Sequence, residues 1–542
     1  MREIAQTARQ RLRTREISGG VGVTLVVTAL RLWFARKVNF CGTPDSCYAL
    51  GLAQSLAKYH AFRVPFLFDL QLNHLQVPNT GLEYWRPGVS LVLLLLKPFG
   101  ALTLHGSLVV TMVAGIVWAL AAWFIAMRTT GSRKIALASY TLCLLLPAAW
   151  EGSLTPDPTL FYAAAIAWFL ALFTVERQGI VQDVIALACV GAAYMIRNDA
   201  GLLLLVPLVV VLVMRVRAAS APEKLGNNAP AGSSAAYAVA ILFGFGLALA
   251  PMHLLYKHVL GTVFPKGAGQ ALYLNDLTDF SNYGVPVSAH TMLSHGVKHL
   301  LAMRVSATAM IVYRVLALVL GYPALVFLPS LAVKREAQLN SEARLPELAG
   351  PVAFGAVVLV IYGLVLPAVG VFSALRSSTA LLPAVSVAAV VAILRAARAR
   401  QVALVLTGTV IAAYLVSGVM DDRRSIGPMN QIGAADRAQA RGLAEMGALP
   451  DGASSRPTLV MTPDPVQFSV TTGYPAIPMP GNGLDAITKE ALDLHASHAI
   501  LDGEHLPGSL TEVTERLHPV QIKTIPGQTV LLFELPREPR QQ

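Results

Sequence analysis

Between Ile17 and Met420 the chain is a succession of long apolar runs, each bounded by a short polar or basic connector. Runs near the roughly 20 residues needed to cross about 30 Å of hydrocarbon recur through this region, which predicts helices that span a membrane. Counting them gives an α-helical polytopic region over residues 1–420, with about eleven spans plus interfacial helices. One stretch departs from the series. Pro87 to Gly100 is apolar but too short to cross, and it reads as a shallow or re-entrant helix. From Asp421 the pattern changes. The β-like runs Thr458 to Met461, Ala499 to Asp502 and Thr529 to Glu534 alternate with the helical patterns Gly483 to His495 and Ser509 to Leu517. Residues 421–542 are therefore expected to form a small soluble α/β domain.

Composition agrees with this division. Of 542 residues 55% are hydrophobic and only 13% charged, against about 25% charged in ordinary globular domains. The net charge of +11 does not point to nucleic acid, because Lys and Arg gather at the ends of apolar runs rather than in one solvated patch. Arg2, Arg9, Arg11, Arg13 and Arg15 place the amino terminus in the cytoplasm. The run from Ile17 to Phe34 is expected to be an anchor helix rather than a cleaved signal, because Arg31 interrupts it and many apolar runs follow. Parity then puts residues 39–86, 151–158, 197–199, 258–299, 372–378 and everything after Asp421 on the outer side of a cell membrane. Cys143 and Cys189 fall inside apolar runs and read as small core residues, whereas Cys41 and Cys47 fall outside, where a local disulfide can form.

The residues that carry chemistry collect on that outer side. The first outer loop, 39–86, contains Thr43-Pro44-Asp45-Ser46-Cys47-Tyr48, then an amphipathic stretch from Ala49 to Tyr59, then Glu83-Tyr84-Trp85-Arg86-Pro87. Amphipathic residues at an interface suit a site reached by a lipid-borne ligand, and they also suit a plain interfacial cap. Asp157 lies between two prolines before an apolar run, where it is either a site carboxylate or a helix N-terminal residue favoured by the dipole. Arg197 and Arg376 sit in outer turns. Each can be a snorkelling end residue, but Arg is also the side chain that grips phosphate, and positive charge outside runs against the topological bias. His290, His295 and His299 invite a metal reading, but no Cys or acid completes a ligand set beside them. No Walker pattern or nucleophile elbow is present.

Asp45, Tyr48 and Ala53 to Leu56, then Arg86-Pro87 running to Phe99-Gly100, resemble the opening of the GT-C superfamily of membrane glycosyltransferases. Tyr194 to Leu202 is similar to a span ending in Arg before a Gly-Leu run in that superfamily, and Leu375-Arg376 with Leu381-Leu382-Pro383 resembles its Arg-Tyr-Leu-Leu-Pro pattern. Protein O-mannosyltransferases and aminoarabinose transferases share the layout. Two positions depart from it: Ser46 stands where mannosyltransferases have a second acid, and Arg86-Pro87-Gly88 where many members show Pro-Pro. The resemblance implies an inverting transfer of sugar from a polyprenyl-phosphate donor to a hydroxyl of a protein, lipid or glycan acceptor. It implies Asp45 as the base, and Asp157 as the group that orients the acceptor or a basic partner. Arg376 would hold the phosphate, with Arg197, Arg86 and Lys266 behind it, and Tyr48 would contact substrate. No cofactor is obligatory, and a divalent metal stays open. The competing expectations are a secondary transporter, which calls for charge in mid-span, and a lipid-handling or assembly protein of the cell envelope.

Overall fold

The computed structural model describes residues 2–70, 75–173, 180–210, 234–265, 269–270, 272–274, 277–319, 349–396, 400–450, 458–503, 506–526 and 528–536. Most of them are helical. The chain begins with α1 (Arg2–Ala35), α2 (Pro44–Tyr59), α3 (Gly88–Leu94), α4 (Leu104–Thr130), α5 (Arg133–Leu145), α6 (Pro147–Glu151), α7 (Pro158–Leu172) and α8 (Ile180–Ile196). It continues with α9 (Ser234–Leu260), α10 (Ala289–Ser294), α11 (Val297–Val319), α12 (Ala349–Val360), α13 (Pro367–Thr379), α14 (Leu382–Ala396) and α15 (Arg400–Glu445).

Among the described residues four helical segments are long and apolar enough to cross a membrane: Ser18–Ala35, Leu104–Thr130, Val239–Leu260 and Val405–Glu445. A fifth arises if Ser373–Thr379 and Leu382–Leu394, bent by 54° at their junction, form one broken span. Five shorter apolar helices accompany them, including Pro158–Leu172 and Ile180–Ile196. Among the described residues, then, part of the apolar sequence forms long helices and part forms shorter ones, and the expected total of about eleven spans extends into residues outside them. Proline supplies one reason for the shorter helices. Pro147, Pro158, Pro367 and Pro383 each sit within the first two positions of a helix, where a missing N–H costs nothing, so an unbroken apolar run in sequence is cut into separate helices. The stretch after Pro87 is such a short element: the apolar helical stretch Gly88–Phe99 rises at most about 18 Å, well short of a bilayer.

The membrane helices share one core. Trp118 and Trp150 are fully buried in it, and the Trp118 indole donates to the Thr379 carbonyl at 3.1 Å, tying α4 to the end of α13. Arg31, 1% exposed, donates to Leu144 O at 2.5 Å and stacks on Trp150 at 4.9 Å, so its charge is spent inside the protein rather than against lipid.

Beyond Asp421 α15 continues without a break to Glu445. A five-stranded sheet follows in the order β2-β1-β3-β5-β4. Its strands are β1 (Val460–Thr462), β2 (Ala476–Pro478), β3 (His498–Asp502), β4 (Gln521–Thr524) and β5 (Val530–Glu534). The β2, β1 and β3 strands are parallel, and β5 runs antiparallel to both β3 and β4. The helices α16 (Pro465–Thr472), α17 (Leu484–Asp493) and α18 (Leu510–Leu517) complete the small α/β unit. The loop that follows α2 extends this sheet. Leu67 N donates to Ala476 O at 3.0 Å and Ala476 N to Pro65 O at 2.9 Å, which covers the β2 edge. Leu67 is buried among Met461, Ile477 and Phe533.

Candidate active site

The first turn of α2 is built to present a carboxylate. Thr43 caps the helix, its hydroxyl accepting from Ser46 N at 3.3 Å, Pro44 occupies the first position, and Asp45 follows in the first turn. A Cys41–Cys47 disulfide with Cα atoms 5.1 Å apart closes over this turn. Asp45 Oδ1 accepts from Trp85 Nε1 at 2.6 Å, and Oδ2 is ion-paired with the Arg376 guanidinium. Burial alone would push the Asp45 carboxyl up, but the charges of Arg376 and Arg197 and the bonds from Trp85 and Arg376 outweigh it and hold the group below its ordinary 3.8.

Asp157 caps α7, Oδ1 accepting from Thr159 N at 2.8 Å, while Oδ2 accepts from Thr43 Oγ1 at 3.2 Å and lies 3.5 Å from Arg376 Nη2. One side chain thus both caps α7 and meets the Arg376 guanidinium. Arg376 stands between the two carboxylates and joins the starts of α2 and α7 to α13.

The other expected cations divide. Arg197 is chelated by Asp199 through Nε and Nη2 at 3.1 Å and donates to Ser373 Oγ at 2.9 Å. Tyr362 donates to the same Asp199 and lies 3.3 Å from Ser377 Oγ. Ser373 and Ser377 flank Arg376 on α13, so this network braces the helix that carries it. Arg86 is different. Its guanidinium lies between the rings of Tyr194 at 4.1 Å and Tyr256 at 4.6 Å and donates to Asn198. It is 6% exposed, and no carboxylate among the described residues pairs with it. Its Nη1 has no partner there, and neither do the buried hydroxyls of Tyr48 and Tyr256. Burial and the nearby Tyr256 phenol raise the Tyr48 pKa far above its usual value, so the group stays a donor. Tyr48 stacks on Trp85 at 4.7 Å, which places this trio of vacant donors behind the indole that holds Asp45.

The structure thus brings Asp45, Asp157 and Arg376 together, sets Arg197 in the brace, and buries Arg86 and Tyr48 beside Tyr256. Lys266 lies outside the described residues. Trp85 and Tyr256 were not singled out from the sequence. Trp85 carried a signal in its place between Tyr84 and Arg86, whereas Tyr256 carried only its position at the end of an apolar run, which is common for any belt aromatic. Phe68, Tyr84 and Phe280 close an aromatic cluster over Trp85. The rings of His295 and His299 are 5.3 Å apart, and among the described residues no three His, Cys, Asp or Glu side chains are grouped to hold a metal.

No protein-family model matches the chain, and no curated protein matches it by sequence. Solved structures do. The chain superposes on the crystal structure of ArnT, an aminoarabinose transferase, from Cupriavidus metallidurans bound to undecaprenyl phosphate with a TM-score of 0.57. That match has 12% identity and covers 95% of this chain and 97% of that one. The archaeal oligosaccharyltransferase AglB from Archaeoglobus fulgidus, in complex with an inhibitory peptide and a dolichol-phosphate, aligns at 0.47 and 12%, covering 98% of this chain and 75% of that one. The ArnT superposition, running nearly end to end on both chains, shows that this protein has the fold of ArnT.

Proposed function

We propose that the protein is an inverting glycosyltransferase that moves a sugar from a polyprenyl-phosphate donor to an acceptor hydroxyl at the outer face of the membrane. The observation that carries this reading is an ionised carboxylate, Asp45, fixed beside a cluster of buried donors that have no partner among the described residues: Arg86 Nη1, Tyr48 OH and Tyr256 OH. Vacant buried donors with a cation among them suit a phosphate, which accepts through several oxygens. ArnT, whose fold the chain shares, was crystallised bound to undecaprenyl phosphate. On this reading residues 1–420 hold the catalytic machinery, and residues 421–542 sit on the outer face against the first loop.

In the reaction the acceptor oxygen attacks the anomeric carbon from the side opposite the phosphate. The carbon–oxygen bond to phosphate breaks as the new bond forms, which inverts the centre. Asp45 takes the acceptor proton, and the phosphate leaves with the bonding electrons. Its charge is held by Arg86 and the two phenols, with Arg376 beside the reacting atoms. Arg376 has a second task. A phosphate drawing on its guanidinium loosens the Asp45 pair, so the base is released when the donor is in place. Asp157 keeps Arg376 anchored while this happens.

Sugar transfer in reconstituted membranes tests the proposal, with a panel of polyprenyl-phosphate sugars and an envelope extract as acceptor. Asp45→Asn is expected to lower transfer by about 10²-fold or more while undecaprenyl-phosphate binding persists. Equal transfer by wild type and Asp45→Asn would remove Asp45 as the base. Lipid binding without transfer in the wild type would favour a transporter or an assembly protein.

A further inference from the structure

A cavity of about 1530 Å³ lies between one face of α2 and the C-terminal unit, and neither Asp45 nor Arg376 lines it. Gly51, Gln54 and Lys58 of α2 line it. At 100° per residue these positions lie about 120° to 180° round the helix from Asp45. Lys58 is also about 20 Å along the axis from Asp45, at 1.5 Å per residue. An occupant of this cleft therefore does not present its reacting hydroxyl there. The space exceeds the range of roughly 300–1,000 Å³ typical of small-molecule sites, so the occupant is larger than one sugar.

Its chemistry is set by the walls. Among the described lining residues, Lys58 and Arg63 stand on one side and His495 on the other, with one acid, Asp493, whose carboxylate accepts from Tyr283 OH at 2.8 Å. Tyr59, 54% exposed, adds a ring face under Lys58 at 4.7 Å, and Gln54 adds an amide. Cations, an amide and a half-exposed aromatic ring suit a saccharide bearing acid groups. A peptide strand is disfavoured, because the β2 edge beside the cleft is already paired with Pro65 and Leu67 of the first loop.

We propose that this cleft is a second site that binds the remote part of an anionic oligosaccharide acceptor, away from the hydroxyl that reacts. The proposal rests on the glycosyltransfer reading for its role as an acceptor site, and on the cleft alone for the binding itself. Remote binding of this kind lowers KM for long acceptors and leaves turnover of short ones unchanged.

The test uses full-length purified protein and two probes, hexagalacturonate and neutral maltohexaose, with titrations at low and high salt. Wild type is expected to bind hexagalacturonate at least about 10-fold more tightly than maltohexaose, and less tightly as salt rises. The double variant Lys58→Glu with Arg63→Glu is expected to lose that preference, while Lys58→Arg with Arg63→Lys keeps it. Undecaprenyl-phosphate binding reports on folding and stays unchanged in both. Hexagalacturonate binding that survives the charge reversal overturns the proposal. So does a charge-dependent loss seen only with phosphatidylglycerol vesicles, which would make the cleft a membrane-surface contact. Absence of sugar transfer by wild type, with the oligosaccharide result intact, sinks the glycosyltransfer reading and leaves the saccharide site standing.

Discussion

At the scale of single residues, the site depends on how charge is held. Asp45 stays ionised in the free protein because Arg376, Arg197 and the Trp85 indole outweigh its burial, so kcat/KM for transfer should show no ionisation of the proposed base between about pH 5 and pH 8. A pH–rate profile with an acid limb near neutrality, absent in wild-type donor binding, would contradict this. Arg376→Lys keeps the charge but cannot reach Asp45 and Asp157 together as a planar fork does. Transfer is expected to fall about 10-fold or more, measured as kcat in the reconstituted assay. Far from the site, Glu490 is fully buried in α17 with both oxygens unpartnered, and burial pushes its carboxyl to about 9 from 4.5. Because the folded value is raised, its proton favours the fold below about pH 4.5, and that stability is lost as pH rises towards 9. Glu490→Met should flatten this decline, read as the melting temperature at several pH values.

Whole elements act through what they carry. The Arg197–Asp199–Tyr362 network fixes α13 through Ser373 and Ser377, on either side of Arg376. Tyr362→Phe removes the buried hydroxyl that donates to Asp199 and meets Ser377, a charged-partner bond worth about 1.5–3 kcal/mol, and should lower kcat more than it changes donor affinity, with the fold retained by circular dichroism. The helices also explain how much could be read from the sequence. Asp45, Asp157 and Arg376 stand out because charge at the end of an apolar run needs a partner or a purpose. Tyr256 does not, because an aromatic residue there fits a lipid belt as well as a pocket, and only the packing of α9 turns it toward Arg86. Helix boundaries were less legible for a related reason: apolar runs report solvent, whereas helix starts are set by residues such as Pro158 and Pro367.

For the molecule as a whole, the sequence predicts a helical membrane region and a small α/β unit but not their joint sheet. Residues 64–67 lack a strand-like pattern of their own, and just two backbone bonds to Ala476 recruit them. That pairing joins positions about four hundred residues apart, a separation that makes it one of the last native features to form. It therefore sets an order of events in biosynthesis. Pro65 and Leu67 emerge early with their backbone groups open, and the loop bearing Asp45 waits, incomplete, until the final hundred or so residues have been made and delivered. A chain stalled or cleaved before β2 has every expected site residue and still lacks the edge that holds its first loop in place.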